Sequence, residues 1–221
     1  MNVFRKQTPP DDFRERREAM VELLRRRYRI GDERILEAMR RIPRHRFLPP
    51  GYRFEADPYG DHPCPIGHGQ TISQPYIVAH MTELLDVRPG DRILEIGSGS
   101  GYQAALLLEL GAELYTVETV PELADWARHI LAESGYRDFH VRLGDGYRGW
   151  PEAAPFDGII LTCAPPRVPP ELAAQLADGG RMVLPVGVGS QQLVVVRRTG
   201  DRLLLRPDIP VRFVPMVPSE S

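Results

Sequence analysis

Leu94-Glu95-Ile96-Gly97-Ser98-Gly99-Ser100-Gly101-Tyr102 decides the fold class of this chain of 221 residues. An apolar stretch carrying one acidic residue gives way to three alternating glycines, and Tyr102–Leu110 then reads as a helix. Glycine lets a backbone approach a ligand closely and adopt conformations that other residues resist. Strand, glycine loop and helix in that order build a ligand-binding corner beyond the carboxyl end of a strand in an α/β sheet. The loop does not choose its ligand, because Gly99-x-Gly101-x-x-Ala104 also satisfies the loose dinucleotide pattern.

Downstream of this run the pattern alternates between strands and helices, the sign of a mainly parallel sheet. Arg92–Ile96, Leu114–Val117, Phe139–Leu143, Gly158–Thr162 and Met182–Val186 read as strands, and Pro121–Ala132 as a helix. Pro170–Leu176 reads as a short helix stopped by Gly179-Gly180. Gln192–Arg198 and Arg202–Leu205, joined across Thr199-Gly200-Asp201, read as an antiparallel hairpin at the sheet edge. Upstream, Phe13, Met20, Leu23, Leu24 and Tyr28 recur near helical spacing, and Asp32 caps a second helix carrying Ile35, Leu36, Met39 and Ile42. Pro43 ends that helix, a loop runs to about Gly69, and Pro75 suits the first turn of a helix through Leu85.

Composition excludes several classes of function. Hydrophobic residues at 42% and charged residues at 26% are ordinary for a globular protein. A formal charge of -2 leaves no electrostatic footprint for nucleic acid. The amino-terminal arginines alternate with Glu15, Glu18 and Glu22, as a solvated helix face does. Cys64 and Cys163 are the only cysteines and lack ligand spacing, and the six histidines form no His-x-x-x-His pattern, so no metal is expected. No run has membrane-spanning length and no apolar leader opens the chain, so a soluble cytoplasmic protein is expected.

Acidic residues at strand ends narrow the chemistry. Glu118 closes the second strand, where a carboxylate can accept both hydroxyls of a ribose. Asp145, in Leu143-Gly144-Asp145-Gly146, follows the third strand, and there a turn and a ligand contact are both open readings. The order of parallel strands closed by an antiparallel hairpin resembles that of the S-adenosylmethionine-dependent methyltransferases. That resemblance implies that Glu95 faces the methionine portion, that Gly97, Gly99, Gly101 and Gly146 border the cofactor, and that Asp145 reads the adenine.

A second segment is narrower in meaning. Gly67-His68-Gly69-Gln70-Thr71-Ile72-Ser73-Gln74-Pro75 resembles the signature of the protein-L-isoaspartate O-methyltransferases. Ile42-Pro43-Arg44-His45-Arg46-Phe47-Leu48-Pro49 looks like that family's opening segment, and Val211-Arg212-Phe213-Val214-Pro215-Met216 like its carboxy-terminal one. The resemblance implies a Rossmann-like fold with a doubly wound sheet, made of one domain over 1–221. Within it, 1–50 is a helical extension, 51–90 the acceptor loop and helix, and 91–221 the cofactor core and substrate segment. It further implies methyl transfer to the free α-carboxylate of L-isoaspartyl residues in damaged peptides and proteins, by a monomer, with S-adenosyl-L-homocysteine as product. Thr71, Ile72, Ser73 and Val214 then bind substrate, and Ser73 is the catalytic position.

Read locally, Ser73 is equally a helix N-cap before Gln74-Pro75. The other outcomes kept open are a methyltransferase for a different peptide carboxylate, a non-catalytic nucleoside-binding module and a nicotinamide-dependent oxidoreductase.

Overall fold

The computed structural model describes residues 13–50 and 57–218. Residues 1–12 of the expected helical extension, 51–56 of the expected loop and the terminal 219–221 lie outside them. In chain order the elements are α1 (Arg14–Tyr28), α2 (Glu33–Arg41), β1 (Cys64–Gly67), β2 (Gln70–Ile72), α3 (Pro75–Leu85) and β3 (Arg92–Ile96). They continue as α4 (Tyr102–Glu109), β4 (Glu113–Glu118), α5 (Pro121–Glu133), β5 (Phe139–Leu143) and β6 (Phe156–Leu161). The last are α6 (Pro170–Ala174), β7 (Leu176–Val186), β8 (Gln191–Thr199) and β9 (Arg202–Val211).

The residues of β3 after Arg92 are all buried, as befits a strand covered by helices on both faces. Alternation sends Ile93 into the apolar cluster beneath α1 to α4, while Leu94 and Ile96 join Phe156, Ile159 and Leu172 on the opposite face. Seven strands run in the order β5-β4-β3-β6-β7-β8-β9. The pairs among β5, β4, β3, β6 and β7 are parallel, whereas β8 and β9 return antiparallel. The α/β class and the carboxy-terminal hairpin thus stand as expected. Connections leave β3 toward β4 on one side and reach β6 on the other, which opens a crevice at the strand ends between them.

Two local expectations need correction. Gly179-Gly180 does not stop a helix: α6 ends at Ala174, and both glycines lie within β7. The pairing of β6 with β7 jumps from Phe156 opposite Leu176 to Gly158 opposite Arg181, so the glycines form an irregularity that glycine accommodates. The stretch before Gly69 is not all loop either, since β1 and β2 form an antiparallel hairpin. Its turn has positive φ at Gly67 (92°), His68 (53°) and Gly69 (71°), and a run of apolar alternation that short gives little signal. The amino-terminal arginines behave as a solvated face, with exposed pairs such as Arg26–Glu22 and Arg25–Glu33 that contribute little to stability.

The β7 irregularity yields a direct test. A Cβ on Gly180 would lie 2.9 Å from the Asp157 carbonyl oxygen and 3.0 Å from that of Ala177. Both are backbone atoms in a sheet and cannot yield cheaply. Gly180→Ala should lower unfolding free energy by about 1–3 kcal/mol, measured by urea denaturation. An unchanged midpoint would show that the irregularity relaxes freely.

Candidate active site

The carboxyl ends of β3, β4 and β6 open into a cleft of about 980 Å³. One wall consists of Ile96 to Ser100, Val117 to Val120, Gly146, Thr162 and Cys163. Facing it are Gln70 to Ser73 of the hairpin and its exit, the start of α3, and the segment from Ile209 to Val217. The glycine run and the acceptor-like motif, far from adjacent in chemistry when read as sequence, therefore share one cavity.

Backbone geometry explains the glycines. Gly97, Gly99 and Gly101 all have positive φ, at 94°, 48° and 81°. A Cβ on Gly97 would strike the Thr162 hydroxyl, which donates to the Gly97 carbonyl at 2.6 Å. The Gly97 N–H donates to the Val117 carbonyl at 2.8 Å, so the loop is fastened to both neighbouring strands. Gly101 is the N-cap residue of α4 and does not line the cleft, unlike Gly97 and Gly99. Ser98 does line it, and its hydroxyl is buried with no hydrogen-bond partner among the described residues.

Glu118 is the best-placed of the acidic candidates. One carboxylate oxygen accepts the Gly99 N–H at 2.9 Å, and the other accepts those of Thr119 and Val120 at 2.8 and 3.0 Å. It lines the cleft with its orientation already set. Glu95 and Asp145 differ from expectation. Glu95 points into the apolar interior on the face of Ile93, off the cleft wall, because side chains alternate along a strand. Its Oε2 receives the Thr116 hydroxyl at 2.6 Å, while Oε1 has no partner among the described residues. Burial pushes its carboxyl up to about 8, with the Glu118 charge adding to the rise and the Thr116 hydrogen bond opposing it. The Asp145 carboxylate accepts the Tyr147 N–H at 2.9 Å and caps a short turn, and Gly146 alone of that pair reaches the cleft. The turn contact uses one of the two Asp145 carboxylate oxygens. Burial also pushes the Cys163 thiol in the wall up to about 12.

The opposite wall resolves the two readings of Ser73. The N-cap residue of α3 is Gln74, and no side chain of its own closes that end. Asp61 does so from a preceding loop: its carboxylate accepts the Tyr76 N–H at 3.1 Å, the Gln74 amide at 2.9 Å and the Tyr28 hydroxyl at 2.6 Å. Ser73 is therefore not the helix cap, and its hydroxyl makes no hydrogen bond within the described residues. Thr71, Ile72 and Ser73 all line the cleft, as does Val214. The Val214 segment is held by two backbone bonds of 2.8 Å: the Ala164 N–H donates to the Val214 carbonyl, and the Met216 N–H donates to the Ala164 carbonyl. Gln191 clamps it as well, donating to the Phe213 carbonyl at 3.0 Å and accepting the Phe213 N–H at 2.6 Å.

Sequence reasoning missed Asp61, Gln191 and Tyr28. Tyr28 stacks on Tyr76 at 4.0 Å between ring centroids and lines the cleft, yet its helical spacing marks it only as core. Nothing in the local pattern around Asp61 or Gln191 distinguishes them from other loop and strand polar residues. His68 is exposed in its turn, and Trp150 packs against Tyr115 with Arg142 over its ring at 4.0 Å, as packing residues do. Among the described residues no cluster of His, Cys, Asp or Glu could hold a metal, and no helix is long and apolar enough to cross a membrane.

Residues 15–221 match the sequence model of a family described as protein-L-isoaspartate(D-aspartate) O-methyltransferase. The protein-L-isoaspartate O-methyltransferase of Gloeobacter violaceus is 53% identical over 189 residues, covering 85% of this chain and 91% of that relative. The protein of that name from Aeropyrum pernix is 50% identical over 213 residues, with 94% and 81% covered. A solved protein-L-isoaspartate O-methyltransferase matches with a TM-score of 0.81 at 28% identity over 90% of this chain, which spans 65% of that protein's length. A Plasmodium falciparum protein described in the same terms, solved with S-adenosyl-L-homocysteine, gives 0.81 at 23% identity, covering 91% and 98%, and supports the fold.

The isolated position of Glu95 predicts a pH dependence. Its ordinary value of 4.5 holds in the unfolded chain, so between 4.5 and about 8 the folded protein keeps a proton that the unfolded chain has lost. Stability must then fall as pH rises through that window, by about 1.4 kcal/mol per pH unit at the steepest. Glu95→Gln, a mimic of the protonated form, should gain on the wild type steadily from pH 5 to 8 in urea melts of the ligand-free protein. A difference that does not vary with pH would remove the carboxyl from that role.

Proposed function

Since this chain belongs to the protein-L-isoaspartate(D-aspartate) O-methyltransferase family, we propose that it methylates the free α-carboxylate of L-isoaspartyl residues in damaged peptides and proteins, with S-adenosyl-L-methionine as donor. The observation that carries this reading is the Ser73 hydroxyl, left without a partner on the cleft wall opposite the glycine loop because Asp61 closes the helix instead. The family match leaves the nicotinamide and non-catalytic alternatives without support.

The wall fits the donor. After accepting three N–H groups, Glu118 retains about one of its four lone-pair sites for a ribose hydroxyl, and the unpartnered Ser98 hydroxyl offers a further polar contact. Ile96, Val117 and Met216 add an apolar surface suited to a flat base. A Cβ on Gly146 would lie 2.6 Å from Ile96, so the chain admits only glycine at that edge. Bound there, S-adenosyl-L-methionine supplies an electrophilic methyl on a sulfonium centre.

What remains for the protein is placement. An isoaspartyl linkage routes the main chain through the side-chain carboxyl and leaves the α-carboxylate free, already ionised near neutrality with a reference value near ~4. It needs no general base, and alignment of nucleophile and methyl alone can supply many kcal/mol. Ser73 donates a hydrogen bond that orients the carboxylate without removing a proton. Thr71, Ile72 and Val214 border the peptide around it. The methyl ester then loses methanol to attack by the following backbone nitrogen, giving a succinimide that opens by hydrolysis partly to normal aspartate. Consistent with a reducing compartment, Cys64 and Cys163 are free, and we place the protein in the cytoplasm as a one-domain monomer.

Transfer of labelled methyl to paired peptides, one isoaspartyl and one aspartyl, tests the substrate. Label on the isoaspartyl peptide alone is expected, and label on the aspartyl peptide alone would sink the reading. Two substitutions then separate the walls. Glu118→Ala should weaken S-adenosyl-L-homocysteine binding by about 1.5–3 kcal/mol in calorimetry. Ser73→Ala should leave that affinity nearly intact and lower turnover of the isoaspartyl peptide. Full turnover by folded Ser73→Ala protein would defeat the Ser73 assignment.

A further inference from the structure

Arg44 has no exposed surface at all and is among the largest fully buried side chains of the protein. Among the described residues it forms no salt bridge, although a buried charge is ordinarily paired with a carboxylate. Its guanidinium is held by neutral groups instead. Nε donates to the Pro58 carbonyl at 2.7 Å, and Nη2 donates to the Ser73 carbonyl at 2.8 Å. The guanidinium carbon sits over the Tyr102 ring at 4.7 Å from its centroid. Nη1 and the Tyr102 hydroxyl are both buried without a well-formed hydrogen bond among the described residues, with the neutral groups of Tyr102 and Cys64 close enough to act on the guanidinium.

These contacts join three parts of the site that the chain keeps apart. Ser73 belongs to the acceptor wall, Tyr102 opens α4 directly after the glycine loop, and Pro58 lies in the same loop segment as Asp61. Packing alone would be served better by an apolar side chain, since a buried unpaired charge is costly and hydrophobic replacements of buried ions are often neutral or stabilising. A planar fork with donors in fixed directions does what an apolar group cannot: it sets the distance and angle between two carbonyls and a ring.

We propose that Arg44 is a positioning residue for methyl transfer: by gripping the Ser73 carbonyl while stacked on Tyr102, it fixes the acceptor serine relative to the cofactor loop. This rests on the reading of Ser73 given above. Arg44 touches neither substrate nor donor in this account and acts only through Ser73.

Arg44→Lys keeps the charge and loses the fork, and Arg44→Gln keeps a planar donor and loses the charge. In folded protein either change should lower kcat for an isoaspartyl peptide by about 10- to 100-fold, the scale that small misplacements bring. Affinity for S-adenosyl-L-homocysteine should change less than about 3-fold, because the donor wall is built from other residues. The decisive arm is a double-mutant cycle. In a Ser73→Ala background, Arg44→Lys should have almost no further effect on kcat, as expected when one residue works through the other. Equal losses with and without Ser73 would overturn the proposal, as would an unchanged kcat in both variants. If neither variant folds, Arg44 is a folding residue and the proposal is likewise overturned. Wild-type protein that ignores the isoaspartyl peptide would instead refute the function, a result read in a separate tube.

Discussion

Three backbone N–H groups converge on the carboxylate of Glu118, and the geometry of the cleft depends on that knot. Gly99 comes from the glycine loop, while Thr119 and Val120 lead into α5. Close by, Gly97 donates to Val117 and Gly144 donates to the Glu118 carbonyl. The ends of β3, β4 and β5 are thereby registered against one another at the place where each strand stops. Donors and acceptors fixed in this way need no reorganisation when a polar ligand arrives, which is where preorganised sites gain their advantage.

The two walls are made by different means. The wall proposed for the donor is shaped by strand register and by glycines whose conformations few residues can share. The wall proposed for the acceptor joins a short hairpin, a helix start and the end of β9, and side chains from elsewhere in the sequence hold these pieces together. Asp61 closes α3, Gln191 holds Phe213, and Tyr147 donates its hydroxyl to the Met216 carbonyl at 3.2 Å. A common nucleoside site can be built on almost any such sheet, whereas selectivity for an acceptor needs contacts particular to one chain.

This division explains what the sequence disclosed. Short strand-like runs alternating with helical patterns, broken by Gly and Pro, identified the parallel sheet, and the turn at Thr199-Gly200-Asp201 its terminal hairpin. The acceptor segment was legible only by resemblance, and its hairpin escaped notice since β1 and β2 are too short to show a pattern. Glu95 was placed at the cofactor by the methyltransferase resemblance, yet the alternation that puts Ile93 in the core puts Glu95 there too. Ser73 kept two readings because capping is judged from adjacent residues, and the true closing group, Asp61, lies in a loop upstream. Gly179-Gly180 resembled a helix stop because a glycine pair in a strand irregularity has the same local appearance.

The carboxy-terminal segment over the cleft is fastened through Phe213 to Gln191, through Val214 and Met216 to Ala164, and through Met216 to Tyr147. Anchored at Phe213, Val214 and Met216, this segment frames the mouth of the cleft at a place set by the sheet beneath it. A carboxylate embedded in a stiff helix or a sheet cannot bend into such a slot, but one on a slack stretch of polypeptide can. Under the proposed function, the pliancy of the client chain around the lesion thus governs which damage is reached, and lesions locked within well-ordered elements wait until their surroundings loosen.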